Sequence, residues 1–453
     1  MSNSESSPSR SGSKQKKTSR SKAARALSAS EISKNSHHFE IWCTYQHLER
    51  AAYEDIPESF KSDVETVFDV GGRLPTAWTQ QESEEYRLLS TFAPPEFIAF
   101  ISEAYHEDPS LFSTDINKPL STLYLPLTTV FTAWQRLKTM LHSSQRWSEA
   151  DFADAYAQFR GPALKASTRL MQCSVSLPQP LRTHVDAEAA RILSSRKSIP
   201  DCLVMVPPES IRHLSNSTSS VFKRLKKNKA VQKTGSAVKS SSFPYQATVC
   251  YSIPDTPAFE FVSSIWEDKK PVHSMPEHAY RQNRMSTASA ARQLHSMHVD
   301  APVLGLTWTH EYVRAHVDWC QRSQSDKHPV VYSAPYVRSV EAEDPVEGDQ
   351  EYHRWDLTRA SHILDLFFLI TNIDHWTMTG FLDRVGKGVT ALEKSIIEDG
   401  EPFEPWRRFG DIVPRPRRAL SAMENAEITA SVLLTQCSIS PKPKRKTKAR
   451  ALR

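Results

Sequence analysis

Glycine is scarce, with 12 in 453 residues against a usual share of ~7%. This excludes collagen-like repeats, glycine-rich phosphate loops and turn-rich propeller arrays. Long apolar runs are missing as well. The most apolar stretch, Ile363 to Ile373, spans 11 residues and carries Asp365, whereas a membrane span needs ~20. The N-terminus has no apolar core of a secretory signal. Six cysteines (43, 173, 202, 250, 320 and 437) are scattered without a Cys-x-x-Cys pair, which excludes a zinc-type spacing and reads as reduced thiols in an intracellular protein.

Acidic residues are nearly absent from three blocks. Residues 1–25 hold seven Lys/Arg and one acid, and residues 222–239 and 441–453 each hold seven and none. The rest of the chain keeps 36 of the 57 basic and 51 of the 52 acidic residues, a net of −15 behind a formal total of +5. A nucleic-acid surface must therefore come from local patches or from the arms, because phosphate affinity depends on clustered cations. The SKQKKTSRSKAAR and KPKRKTKAR clusters are of the nuclear-import or nucleic-acid type. They point to the nucleus, or failing that the cytoplasm.

Residues 1–35 read as a Ser/Lys/Arg-rich tail too poor in apolar surface to fold, and 36–148 as a helical region. PPEFIAFISEAY and LTTVFTAWQRLKTML each place apolar side chains along one face, the spacing of packed helices. Ser148 is placed to cap a helix ahead of Asp151, and helical signals continue to about Ser194. The pattern then changes to short β-branched runs: 199–206, 245–253, 259–270, and a hairpin of 303–309 with 312–320. Residues 207–242 read as an exposed basic insertion, about 277–297 as a helix, and TRASHILDLFFLITNIDHW as a closing apolar helix. The fold class is α/β: a mixed sheet flanked by helices.

One constellation carries chemistry. Pro200-Asp201 opens one strand and Trp266-Glu267-Asp268-Lys269-Lys270-Pro271 closes another. Residues two apart on a strand share a face, so Glu267 and Lys269 stand side by side and Asp268 points the other way. Paired carboxylates can hold a hard cation such as Mg²⁺, which polarises a phosphate and acidifies a bound water, and an ammonium beside them can orient that water or neutralise charge at phosphorus.

SSIWEDKKP followed by EHAYRQNRMSTASAARQLHSM resembles the fungal PD-(D/E)XK nuclease-like domain, in which a strand ending Glu-x-Lys-(Lys/Arg)-Pro precedes a helix with glutamines and small residues. YSIPDTPAFEFVSSI, PVLGLTWTHEYVRAHV and the 363–373 helix resemble its other segments, over roughly residues 150–380. The resemblance implies a restriction-endonuclease-like core and a Mg²⁺- or Mn²⁺-dependent nuclease acting on DNA or RNA. In it Asp201 and Glu267 are the metal carboxylates, Lys269 the catalytic lysine, and Gln282 the helix glutamine that touches the scissile phosphate or the lysine. Asp255, 12 residues before Glu267, is the alternative first carboxylate, but it sits in a proline turn whereas a strand-like run follows Asp201. Glu188 is the candidate upstream acid. Lys223, Arg224, Lys226, Lys227 and Lys229 form a candidate nucleic-acid loop between the two metal carboxylates in sequence. A catalytically inactive nuclease-like binding module is the alternative function, and no membrane partner is expected.

Other signals have plain readings. His295 and His298 lack a third ligand at a defined spacing and read as a polar helix face. Trp308, Trp319, Trp355 and Trp376 read as core more readily than as base-stacking platforms. Tyr352-His353-Arg354-Trp355-Asp356-Leu357 is no kinase loop, since no Asp-Phe-Gly or glycine-rich loop accompanies it. The expected organisation is a tail at 1–35, a helical region at 36–148, the nuclease-like domain at 149–380 with its insertion at 207–242, a C-terminal extension at 381–430 and a basic tail at 431–453. The sequence leaves the oligomeric state open.

Overall fold

A computed structural model describes residues 25–116, 120–180, 186–228, 243–269, 276–322, 328–338 and 352–408. Its centre is an eight-stranded mixed sheet of β1 (Leu48–Arg50), β2 (Thr168–Met171), β3 (Cys202–Met205), β4 (Val262–Asp268), β5 (Val303–Trp308), β6 (Tyr312–Gln321), β7 (Val330–Pro335) and β8 (Trp355–Asp356). Their order is β1-β7-β6-β5-β4-β3-β2, with β8 pairing β6. Strands β2, β3 and β4 run as antiparallel neighbours, and β4 is parallel to β5. A parallel pair needs a long crossover, here supplied by the helix Pro276–Ser296.

Among the described residues, fourteen α-helices surround the sheet: α1 (Ala29–Lys34), α2 (Ser36–Gln46), α3 (Glu58–Phe68), α4 (Glu84–Phe92), α5 (Pro95–Glu107), α6 (Leu120–His142), α7 (Glu149–Arg160), α8 (Ala187–Leu193), α9 (Arg212–Ser215), α10 (Val221–Lys227), α11 (Phe243–Gln246), α12 (Pro276–Ser296), α13 (Ala360–Met378) and α14 (Gly380–Ile397). Helix α12 crosses β4 to β7 on one face and carries α1 on its back; α13 packs on the other side with α3, α5, α6, α7 and α14. Helix α13 is apolar nearly all round, with Leu364, Leu366, Leu369 and Ile370 fully buried, as befits a helix enclosed by the sheet and other helices.

Helix α12 has the opposite composition and is just as buried. Asn283, Ser286, Thr287, Ser289 and Gln293 are fully shielded from solvent. A buried polar group without a partner costs ~1–3 kcal/mol, and all of these groups except the Gln293 side-chain oxygen find partners. Asn283 Nδ2 donates to Ile265 O at 2.9 Å, Ser286 Oγ to Ser198 Oγ at 2.9 Å, and Gln293 Nε2 to the carbonyls of Ala247 and Glu260 at 3.0 and 2.8 Å. Arg292 reaches Gln46, and Thr287 Oγ1 donates to the Asp318 carboxylate. His316 joins the same network, 3.0 Å from Asp318 and 2.8 Å from Asn283.

Several boundaries differ from the sequence reading. Residues 28–34 are not part of a tail: Ser28 and Glu31 form a capping box on α1, and Ile32 is fully buried. Thr168–Met171 is a strand inside a stretch that reads as helical, because β3 offers it four paired residues. The run 245–253 is no strand. Its start is helical, and only Cys250 bridges to Val175; Pro244 lacks the N–H a ladder would need. The helical region 36–148 is not separate either, since Leu48, Glu49 and Arg50 pair with Val331, Tyr332 and Ser333 at the sheet edge. The insertion 207–242 is in part folded, with Val221, Phe222 and Leu225 of α10 buried. The extension at 381–430 opens with α14, packed on α13. The tail at 431–453 lies outside the described residues. Among the described residues no helix is long and apolar enough to cross a membrane.

Candidate functional site

The site lies at the end of β4. Cys202 is in register with Trp266, and the Asp201 N–H bonds the Trp266 carbonyl at 3.1 Å. Asp201 is therefore opposite Glu267, and directly opposed antiparallel residues share a face with Cβ atoms about 5 Å apart. On the same face Lys269 Nζ bonds Glu267 Oε1 at 2.5 Å and Gln282 Oε1 of α12 at 3.0 Å. The structure brings Asp201, Glu267, Lys269 and Gln282 into one cluster. Glu267 is 2% exposed and the Lys269 side chain 18%, so the lysine is the solvent-facing end.

Asp268 points to the opposite face, as strand alternation requires. There Arg160, the last residue of α7, grips it with Nη1 at 3.0 Å and Nη2 at 2.6 Å. Both residues are buried, and the guanidinium lies 4.1 Å from the Trp308 ring centroid, 5.1 Å from Trp266 and 5.2 Å from Tyr156. A charge pair removed from water holds only with good geometry, which the bidentate, ring-stacked arrangement supplies, although the Arg160 Nε–H is left without a partner. Trp308 is core on this evidence, as are Trp319, Trp355 and Trp376, all nearly inaccessible.

Burial and crowding of acids shape the protonation of the site. Burial, opposed by Lys269 and reinforced by Asp201, pushes the Glu267 carboxyl up to about 8. Burial, with the neighbouring Asp268 charge, raises Asp201 to about 6, against the Asp268 N–H bond and the Lys269 and Arg160 charges. Burial works against the Lys269 ammonium, but Glu267 and then Asp201 outweigh it and its pKa is raised. Glu149, in the first turn of α7, adds to that field. Sequence reasoning gives no signal for it beyond the Ser148 cap that starts its helix.

The other candidates lie elsewhere. Glu188 on α8 faces His38 at 3.4 Å. Asp255 is exposed in the turn before β4, at the strand end away from Glu267. Helix α10 is also at that far end, its Phe222 ring 5.3 Å from Phe259, one strand length or about 20 Å from Glu267. Lys223 bonds the Asn216 carbonyl, Arg224 pairs with Glu393 of α14, and Lys226 and Lys227 sit on the same short helix, so sequence position between the two carboxylates does not make it a loop beside them. Lys229 lies outside the described residues, as does Lys270. His295 and His298 line a separate cavity of about 180 Å³ with Asp300 and Cys320. The described cysteines are free.

The donor set bears on a divalent ion. Among the described residues no three His, Cys, Asp or Glu side chains are grouped to hold a metal. Mg²⁺, however, keeps several waters and is commonly held by one or two carboxylates together with substrate phosphates. Glu267 Oε2 is buried without a hydrogen-bond partner, an orphaned acceptor beside a second carboxylate. These residues fit a hard cation shared with a phosphate.

No protein-family model and no curated protein matches this chain.

Proposed function

We propose that the chain is a metal-dependent phosphodiesterase acting on nucleic acid, with a restriction-endonuclease-like core of the PD-(D/E)XK nuclease-like kind. The observation that carries this reading is the meeting of Asp201, Glu267, Lys269 and Gln282 on one sheet face. When bound, Mg²⁺ or Mn²⁺ would polarise the scissile phosphate and lower the pKa of its water. Asp201 and Glu267 would hold it, Glu267 through the buried oxygen that Lys269 leaves unbonded.

Lys269 would do the rest. Its ammonium would orient an attacking water and offset charge growing at phosphorus. Gln282 holds the lysine through its side-chain oxygen and fixes the direction of Nζ. The wall of buried side chains behind Glu267 keeps bulk water from the carboxylates and strengthens every charge interaction there.

A second reading, a non-catalytic binding module, draws on the 2.5 Å Lys269–Glu267 contact, which ties the lysine to one ligand oxygen. The test is cleavage of labelled single- and double-stranded DNA and RNA with Mg²⁺ or Mn²⁺, compared with Glu267→Ala and Lys269→Ala. Cleavage lost in both supports the hydrolase. Cleavage that survives in both removes the site assignment, and binding without cleavage favours the module. The nuclear assignment rests on the terminal basic clusters, and its test is the distribution of a tagged chain with and without residues 441–453.

A further inference from the structure

Cys173 and Cys250 are 77 residues apart in sequence, yet their sulfurs stand 3.9 Å apart. The backbone brings them together. Cys250 bridges to Val175, the Tyr251 N–H donates to the Ser174 carbonyl at 2.7 Å, and the Ser176 N–H donates to the Val249 carbonyl at 2.8 Å. The two thiols differ in access. Cys250 is 5% exposed, whereas Cys173 is half-buried, so an oxidant in solution meets Cys173 first.

The contact also decides which sulfur attacks, since the thiolate and not the thiol is the nucleophile. A Cys250 S–H directed at Cys173 favours the Cys173 thiolate and lowers its pKa, against burial and the Glu260 charge. The same contact, with burial, raises the pKa of Cys250. Elsewhere burial alone governs: it pushes Cys43 up to about 11 and Cys202 and Cys320 up to about 12. Cys173 therefore combines access, an activated sulfur and a second thiol within reach.

Its neighbours tie this pair to the sheet. Gln172, just past the end of β2, takes a left-handed φ of 50° and donates its N–H to the Asp201 carbonyl at 3.1 Å. Cys173 is the next residue. A disulfide bond is about 2.05 Å long, so closure draws the two sulfurs together. Cys250 is held through its N–H on Thr248 Oγ1 and its carbonyl on Arg408. The movement falls on Cys173, and through it on the Gln172 bond to Asp201.

We propose that Cys173 and Cys250 are a peroxide-responsive dithiol that closes to a reversible disulfide and loosens the main-chain hold on Asp201. Cys173 sulfur attacks one oxygen of hydrogen peroxide, the O–O bond breaks, and the departing hydroxide takes the thiol proton to leave as water. Cys173 is then a sulfenic acid. Cys250 sulfur attacks it, the S–O bond breaks, the S–S bond forms, and the hydroxyl leaves with the Cys250 proton as a second water. Two thiols lose two electrons in all, and one peroxide is reduced to two waters. This step does not depend on the reaction carried out at Glu267.

The test uses the full chain, reduced, exposed to hydrogen peroxide, alkylated and digested without reductant for peptide mass spectrometry. A peptide pair joined through Cys173 and Cys250, lighter by two hydrogens and separated by dithiothreitol, is expected. In Cys250→Ala, dimedone is expected to trap the sulfenic acid at Cys173. Iodoacetamide is expected to label Cys173 of the reduced chain at least about tenfold faster than Cys43, its thiolate gain being offset in part by the lower nucleophilicity of a less basic sulfur. Hydrogen exchange at the Gln172 amide is expected to be several-fold faster in the oxidised chain. Absence of the 173–250 link in the unmutated chain, or links between chains in its place, overturns the dithiol. Labelling of Cys173 no faster than Cys43 overturns its role as the attacking sulfur, and unchanged Gln172 exchange in the oxidised chain overturns the coupling to Asp201.

Discussion

The backbone N–H of Asp268 donates to Asp201 Oδ2 at 2.7 Å. One residue thereby serves both faces of the sheet: its main chain holds the first carboxylate of the site, while its side chain anchors Arg160 in the core. Removing Arg160 leaves a buried, unpaired carboxylate, which typically costs ~3–5 kcal/mol. Arg160→Met is expected to lower stability by that order in urea unfolding. Replacing both partners at once, Arg160→Met with Asp268→Leu, is expected to recover much of the loss, because two apolar groups bury no charge.

The protonation of Glu267 makes a pH signature. Its folded-state pKa, about 8, lies above the ordinary 4.5, so between those values the folded chain binds more protons than the unfolded one. Stability from this group is fully present below pH 4.5 and is lost as pH rises through about 8. The melting temperature of Glu267→Gln, measured relative to the parent, is therefore expected to move in the variant's favour as pH rises across this window. A difference that stays flat with pH contradicts the assignment.

The proposed metal site gives a second pH signature, since ligand carboxyls must be deprotonated. Mg²⁺ is expected to raise the melting temperature more above pH 8 than near pH 6, the ordinary direction when a cation competes with protons for Glu267 and for Asp201, itself raised to about 6. Thermal melts with and without Mg²⁺ at both pH values measure it, and Glu267→Gln is expected to remove most of the difference.

Glu149 and Glu188 make a matched pair of controls. Glu149 adds the smallest of the charges that raise the Lys269 pKa, whereas Glu188 faces His38. Glu149→Gln is expected to weaken activity by at most about fivefold, the size of a partly exposed charge interaction of ~1 kcal/mol. Glu188→Gln is expected to leave it within about twofold, an exposed pair being worth at most ~1 kcal/mol. A nuclease assay titrated with Mg²⁺ reads both.

Gly305 is required by packing. A Cβ there would overlap the imidazole of His316 and the Asn283 side-chain oxygen. Gly305→Ala is expected to cost ~1–3 kcal/mol as an overpacked core site, read by denaturant unfolding.

Much of the sheet was legible because its central strands carry the signal in their own residues. The runs at 199–206, 259–270, 303–309 and 312–320 correspond to β3, β4, β5 and β6, each a short β-branched or aromatic stretch bounded by turn residues, whereas the similar run 245–253 is not a strand. Leu48–Arg50 was not legible, since a three-residue edge strand is defined by its neighbour β7 and not by its composition. Thr168–Met171 was hidden for the same reason. In the site, spacing on one strand is enough to place Glu267 with Lys269. Asp201 against Asp255 is decided by register, and Glu149 by how α7 docks. The basic helix α10 misled because proximity along the chain says nothing about which end of a strand a connection returns to.

The partners of α12 carry one consequence for how the chain can be divided. Arg292 is held by Gln46 from the N-terminal segment, and Ser296 Oγ donates at 2.7 Å to the carbonyl of Glu404 from the far end of the described chain. A fragment trimmed to residues 149–380 would keep Asp201, Glu267, Lys269 and Gln282 yet lose both of these clasps. The far end of the helix that carries Gln282 would then rest on the Gln293 bonds to Ala247 and Glu260, without its ties to the two ends of the described chain.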